Sequence, residues 1–226
     1  MRRAAVLLLV ACSCVGGGRD DVARPAPSEL VREGARPATV RRGDLDGDGI
    51  RELIVASVSE SPNTFGLPTP YLEVFAYRDE EWWRVFDASG HAPPGEGTPP
   101  AMLEAADEEF AVGQSVDVLE VADLEQDGAS EMVVAVSNVG ATAGPLELWI
   151  VGMSESGELR TEYYTRTERG GKVGVRGDRV AIEFGVYKKK DPGCCPSSFE
   201  VQTIGYDPEQ GEITVLERER HPLNAP

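Results

Sequence analysis

Asp44, Asp46, Asp48 and Glu52 stand at positions 1, 3, 5 and 9 of G-D-L-D-G-D-G-I-R-E-L-I-V, the stretch from Gly43 to Val55. Carboxylates at that spacing, with the Ile50 main-chain carbonyl at position 7, supply most of the oxygens that a hard cation takes at about 2.3–2.6 Å. Ca²⁺ is the natural occupant of such a set. Gly47 and Gly49 permit tight turns that a β-carbon would obstruct.

The opening of this loop is that of an EF-hand, but an EF-hand closes on a bidentate Glu at position 12 and runs into a helix. Position 12 here is Val55, inside the β-branched segment Leu53-Ile54-Val55-Ala56-Ser57-Val58. Such a segment favours a strand. The ligand set therefore closes at position 9. A second copy lies 79 residues downstream, in A-D-L-E-Q-D-G-A-S-E-M-V-V-A from Ala122 to Ala135. It offers Asp123, Glu125, Asp127, the Ala129 carbonyl and Glu131 at the same five positions. Glu125 is one methylene longer than the usual Asp or Asn and Gln126 replaces glycine, so weaker binding is expected there. A nine-residue acidic loop running straight into a strand, present twice, resembles the FG-GAP or VCBS repeat of integrin-type β-propellers. The resemblance implies four-stranded blades, each with its calcium loop between strands one and two.

The elements needed to hold those loops recur in fours. Apolar runs at Ala38–Arg42, Glu52–Ser59, Tyr71–Arg78 and Trp82–Asp87 form one group; Ser115–Ala122, Glu131–Val136, Leu146–Met153 and Leu159–Tyr164 form a second. A third comprises Lys172–Val175, Arg179–Tyr187, Phe199–Tyr206 and Ile213–Glu219, with Arg176-Gly177-Asp178 as a first turn too short for an ion. The expected fold is all-β, with about three four-stranded antiparallel blades at 38–90, 115–165 and 171–220. Closed propellers have four to eight blades. An open or irregular propeller, or a contribution from residues 93–112, would answer the shortfall. Ser28 to Gly34 is expected to hold a helical turn or two capped by Ser28.

Met1-Arg2-Arg3, the short apolar stretch Ala4–Val10 and the sequence Leu9-Val10-Ala11-Cys12 resemble a bacterial lipoprotein signal. The resemblance implies removal of residues 1–11 and lipidation of Cys12, a flexible tether over 12–36 and a domain over 37–226. A plain secretory peptide cut further on is the alternative. The apolar stretch is too short for a membrane span, which needs about 20 residues. The expected location is the cell envelope, with the membrane reached through the lipid. A formal charge of −17 argues against nucleic acid, which demands a basic footprint. Cys194 and Cys195 stand adjacent in D-P-G-C-C-P. Exported chains keep disulfides, so a vicinal bond is expected, with two thiols as the alternative.

Catalysis needs a nucleophile, a base and a place to hold a transition state. The histidines are His91 and His221, neither beside an obvious partner in sequence, and no nucleophile elbow, Walker loop or dinucleotide fingerprint occurs. The expected function is non-catalytic: a calcium-binding, envelope-anchored module for a protein or glycan. A structural subunit of an envelope complex is the alternative, and a hydrolase the weaker one. In Trp82-Trp83, strand alternation is expected to bury one ring and expose the other.

Overall fold

The computed structural model describes residues 25–61, 68–88, 114–138, 144–154, 157–192 and 195–223. They form a short helix, α1 (Pro27–Leu30), and twelve strands in three antiparallel four-stranded sheets. The first sheet comprises β1 (Ala35–Gly43), β2 (Glu52–Ser59), β3 (Pro70–Arg78) and β4 (Glu81–Ala88), and the second β5 (Gln114–Ala122), β6 (Glu131–Asn138), β7 (Leu146–Met153) and β8 (Leu159–Thr167). The third comprises β9 (Lys172–Arg176), β10 (Arg179–Val186), β11 (Ser198–Asp207) and β12 (Glu212–Pro222). Within each sheet the strands follow one another in chain order as a meander. None closes into a barrel, and the arrangement is an open, propeller-like stack.

The first two sheets have central strands buried almost continuously on both faces, which reads in sequence as a hydrophobic run rather than an alternation, whereas β10 of the third sheet alternates. All eight residues of β7 are buried. Ile54, Ala56, Leu72 and Val74 of the first sheet pack on Val118, Met132, Val134, Trp149 and Val151 of the second. The opposite face of the second sheet places Val133, Leu148 and Ile150 against Val180, Ile182, Ile204 and Ile213 of the third. First strands lie side by side, β1 against β5 and β5 against β9, as they do around a propeller axis.

The outer face of the first sheet is closed by the chain itself. Leu30 and Val31 cover Leu53, Val55 and Phe75, with Trp82 alongside. Leu30 and Val31, which fall within the 12–36 stretch expected as tether, pack on this sheet, and β1 begins at Ala35. The helix also begins one residue before Ser28, the expected cap: Ala26 precedes it and donates its amide to Glu29 Oε2 at 2.9 Å. Proline at the first helical position presets the backbone there, and Val31 turns extended to reach the core. The β3–β4 turn holds Asp79 and Glu80 at φ 51° and 67°, the two left-handed residues of a type I′ hairpin, so Glu81 pairs with Arg78 as the first residue of β4.

Candidate metal centre

The first acidic loop begins where β1 ends, because Gly43 pairs with Glu52 and the eight residues between them must leave the ladder. Its aspartates fold it. Asp44 Oδ2 accepts the Gly49 amide at 2.9 Å, Asp46 Oδ1 that of Asp48 at 3.2 Å, and Asp48 Oδ1 that of Ile50 at 2.6 Å. Each aspartate spends one oxygen on the loop backbone and keeps the other. The three side chains each bring an oxygen to within 4.8 Å of the others'. Asp44 Oδ1 is buried and makes no hydrogen bond. A buried carboxylate oxygen without a donor is costly to keep, and a cation removes that cost. Burial, followed by the like charges of Asp48 and Asp44, raises the Asp46 pKa against a backbone hydrogen bond that lowers it. The donor set is all oxygen and acidic, and it fits a hard metal ion.

Beneath the aspartates, Glu52 is 2% exposed and its Oε2 accepts the Leu45 amide at 2.7 Å. Leu45 itself is fully buried in the core between the first and second sheets. The second loop repeats this foundation, with Glu131 Oε2 accepting the Leu124 amide at 2.7 Å and Leu124 buried in the core between the second and third sheets. The leucine at position 2 and the glutamate at position 9 therefore act as a pair that pins each loop to an inter-sheet core. Leu45 and Leu124 are functional residues that the acidic pattern did not single out, although both copies carry leucine at that position.

Burial pushes the pKa of both glutamates up to about 7, against the lowering effect of the amide each accepts. Neighbouring carboxylates add to the rise, among them Asp46 at Glu52 and Glu125 at Glu131. A folded pKa above the ordinary 4.5 means that the folded chain holds these protons while the unfolded chain has released them. The associated stability is full below about pH 4.5 and drains away as pH rises to about 7. In chelator, the melting temperature is expected to fall between pH 5 and pH 7.5, and Glu52→Gln with Glu131→Gln to flatten that slope. A slope unchanged in the double variant would assign the effect to other groups.

The second loop differs in its upper half. Asp123 spends both oxygens on backbone, accepting from Asp127 and Gly128 at 3.1 Å each, and Asp127 Oδ1 accepts the Ala129 amide at 2.9 Å. Among the described residues, the three-carboxylate cluster is that of the first loop. Gly47 at φ 73° has Gln126 at φ 63° as its counterpart, a left-handed residue that carries a side chain. That side chain is put to use: Gln126 Nε2 donates to Asp178 Oδ2 at 2.8 Å, tying the loop to the turn of the third sheet. Burial and then the Glu162 charge raise the Glu125 pKa, while Arg160 lowers it. An open cleft of about 770 Å³ runs between the two loops, lined by Asp46, Asp127, Ala129, Met153, Ser154 and Arg160 among others.

Cys12, Cys194 and His91 fall outside the described residues. Cys195 is exposed in a turn where its amide donates to the Pro192 carbonyl at 3.0 Å. His221 is exposed on β12 and faces Glu219 at 3.3 Å. The tryptophans alternate as strand geometry requires: Trp82 packs on the outer core of the first sheet against Tyr77, and Trp83 is 51% exposed. No protein-family model matches the chain, and a search of curated proteins finds no relative.

Proposed function

We propose that this chain is a calcium-binding, lipid-anchored module of the bacterial cell envelope, which uses its ion to fix the loop end of a stack of blades and presents that end to a protein or glycan. The observation that carries the calcium assignment is the buried, hydrogen-bond-free Asp44 Oδ1 within a cluster of three aspartates. Asp44, Asp46 and Asp48 would hold the ion with side-chain oxygens and Ile50 with its carbonyl, while Glu52 fixes Leu45 below them. Magnesium is a poor substitute, because it demands compact octahedral geometry and gives up its water reluctantly. The exposed Trp83 ring on the edge strand β4 supports a binding role, since aromatic faces stack on sugars and anchor interfaces. Calorimetric titration of the full-length chain with calcium tests the assignment. Heat of binding that Asp46→Ala abolishes at the first loop supports it, and an absence of heat would sink it.

The anchor has its own test. The motif before Cys12 implies that Cys12→Ser abolishes incorporation of labelled palmitate and moves the protein from the membrane to the soluble fraction. Cys14 does not substitute, because Cys12 and Ser13 lack the apolar approach that Leu9-Val10-Ala11 gives to Cys12. Unchanged partitioning would dismiss the lipid.

A further inference from the structure

The sequence carries four lysines, Lys172, Lys188, Lys189 and Lys190, and the fold gathers all of them at one end of the third sheet. Lys172 opens β9, and the other three follow β10 on the way to β11. That end faces away from the acidic loops, because β9 runs from Lys172 to the turn where Asp178 meets Gln126 of the second loop, and β10 runs back. All four lysines are exposed, as is Arg169, whose guanidinium lies 4.7 Å over the Tyr187 ring beside them. The lysine turn is held in shape. The Asp191 amide donates to the Lys188 carbonyl at 2.9 Å, and the Asp191 carboxylate accepts the Lys188 amide at 2.7 Å and the Ser197 hydroxyl at 2.6 Å. Lys189 and Lys190 occupy the two central positions of that turn and stand at its tip. Large exposed apolar side chains flank it: Phe199, the second residue of β11, and Leu223, whose amide donates to the Ser197 carbonyl at 3.3 Å.

We infer that this end of the third sheet is a membrane contact, where the lysines bind anionic phospholipid headgroups and Phe199 and Leu223 enter the headgroup layer. The contact turns the acidic loops away from the bilayer. It stands on the charge and shape of this end and not on the calcium reading; a lipid on Cys12 would only bring the surface within reach. A chain of formal charge −17 would be repelled if its charge acted as a whole. It does not act so. Strands of 8–11 residues separate the two ends at β8, β10 and β12, a distance of about 25–35 Å at 3.3 Å per residue. The screening length at physiological salt is about 8 Å, so a headgroup at the lysine end feels the local charge alone. Arg166 and Arg220 at that end are matched by Glu147 and Glu200. The four lysines and Arg169 then face Glu168, Asp191 and Glu183, the last across the ladder from Lys172, and the cations prevail. Each basic side chain near an anionic leaflet strengthens binding about fivefold. Apolar side chains beside the lysines distinguish a bilayer from a soluble acidic partner, since a lysine stem and an exposed phenyl ring both lodge where hydrocarbon meets headgroup.

Vesicle binding of the full-length chain carrying Cys12→Ser, in chelator, tests the contact apart from both the anchor and the ion. Co-sedimentation with phosphatidylglycerol-containing vesicles is expected at physiological salt and is expected to vanish in molar salt or on pure phosphatidylcholine. Lys189→Gln with Lys190→Gln should weaken it at least about tenfold without changing the melting temperature. Because the four lysines are the only side-chain amines, peptide-resolved amine labelling reads this end directly and separates it from any attraction of the Met1-Arg2-Arg3 start. Anionic vesicles should protect Lys172 and the Lys188–Lys190 turn from the reagent, and neutral vesicles should not. Lysines that label at the same rate with and without anionic vesicles would overturn the contact, as would sedimentation that the double variant leaves unchanged. Equal protection by soluble polyglutamate would assign the surface to an acidic protein segment instead and dismiss the bilayer.

Discussion

Calcium at 10 mM is expected to raise the melting temperature of this chain by about 5–10 °C over chelator, and Asp44→Asn to remove most of that rise. Ion binding to the folded state alone stabilises it by about 2.7 kcal/mol when free ion is a hundredfold above the dissociation constant. Extracellular calcium sites reach about 10⁻⁴ M, which places 10 mM in that regime. A chain of this size shifts its midpoint by roughly 2–4 °C per kcal/mol. Asp44 is the most informative position because its two oxygens have separate duties. Oδ2 holds the Gly49 amide and Oδ1 is the buried oxygen with no donor. Asparagine can keep the first duty while surrendering the charge that the second requires. The metal-free variant should therefore melt at or above metal-free wild type, since it no longer buries an unpaired carboxylate oxygen. A variant that keeps the full calcium shift would remove Asp44 from the ligand set. Asp127→Asn should cost less of the shift, because the second loop does not gather its carboxylates as the first does.

The acidic loops and the groups of four strands were legible because both signals are local. A ligand set of fixed spacing followed by a β-branched run names its own structure, and a second copy at the same place in a second group makes chance a poor explanation. What holds the loops in place was less legible. Leu45 and Leu124 each sit inside a run of charged residues, where one apolar side chain carries no periodicity to distinguish it. Their role depends on a core that forms only when two sheets stack. Glu52 and Glu131 were expected as ligands; the structure adds that each is buried and grips the amide of the leucine seven residues earlier. Burial of that kind cannot be read from a carboxylate in an acidic stretch. The closing of the first sheet by Leu30 and Val31 was hidden for a related reason, since those residues follow a stretch rich in proline and their partner face lies in β2 and β3. In the sequence Gln126 stands out only as a departure from glycine. Its bond to Asp178 is a contact between residues 52 apart, and no local pattern announces it.

Leu45→Ala is expected to destabilise the chain by about 3 kcal/mol, a fall in melting temperature of roughly 6–12 °C, even in chelator. Leu45 has no exposed surface and is among the largest fully buried side chains, in contact with a cluster that spans two sheets. Truncation removes that burial and leaves a cavity, because β1 and β5 are already as close as Gly43 allows and cannot collapse further. The same substitution reaches the ion. Without its side chain the loop loses its foothold in the core, and the Leu45 amide no longer holds Glu52 in a fixed place, so the calcium-induced shift should shrink along with the baseline. Leu124→Ala makes the comparison clean. It should cost a similar amount at the core between the second and third sheets while sparing the calcium response of the first loop. Leu45→Met, which conserves volume, should cost under about 1.5 kcal/mol and keep the calcium shift. A loss of less than about 1 kcal/mol in Leu45→Ala would mean that the loop is held by its carboxylates alone, and that stacking of the first two sheets does not depend on this buried leucine.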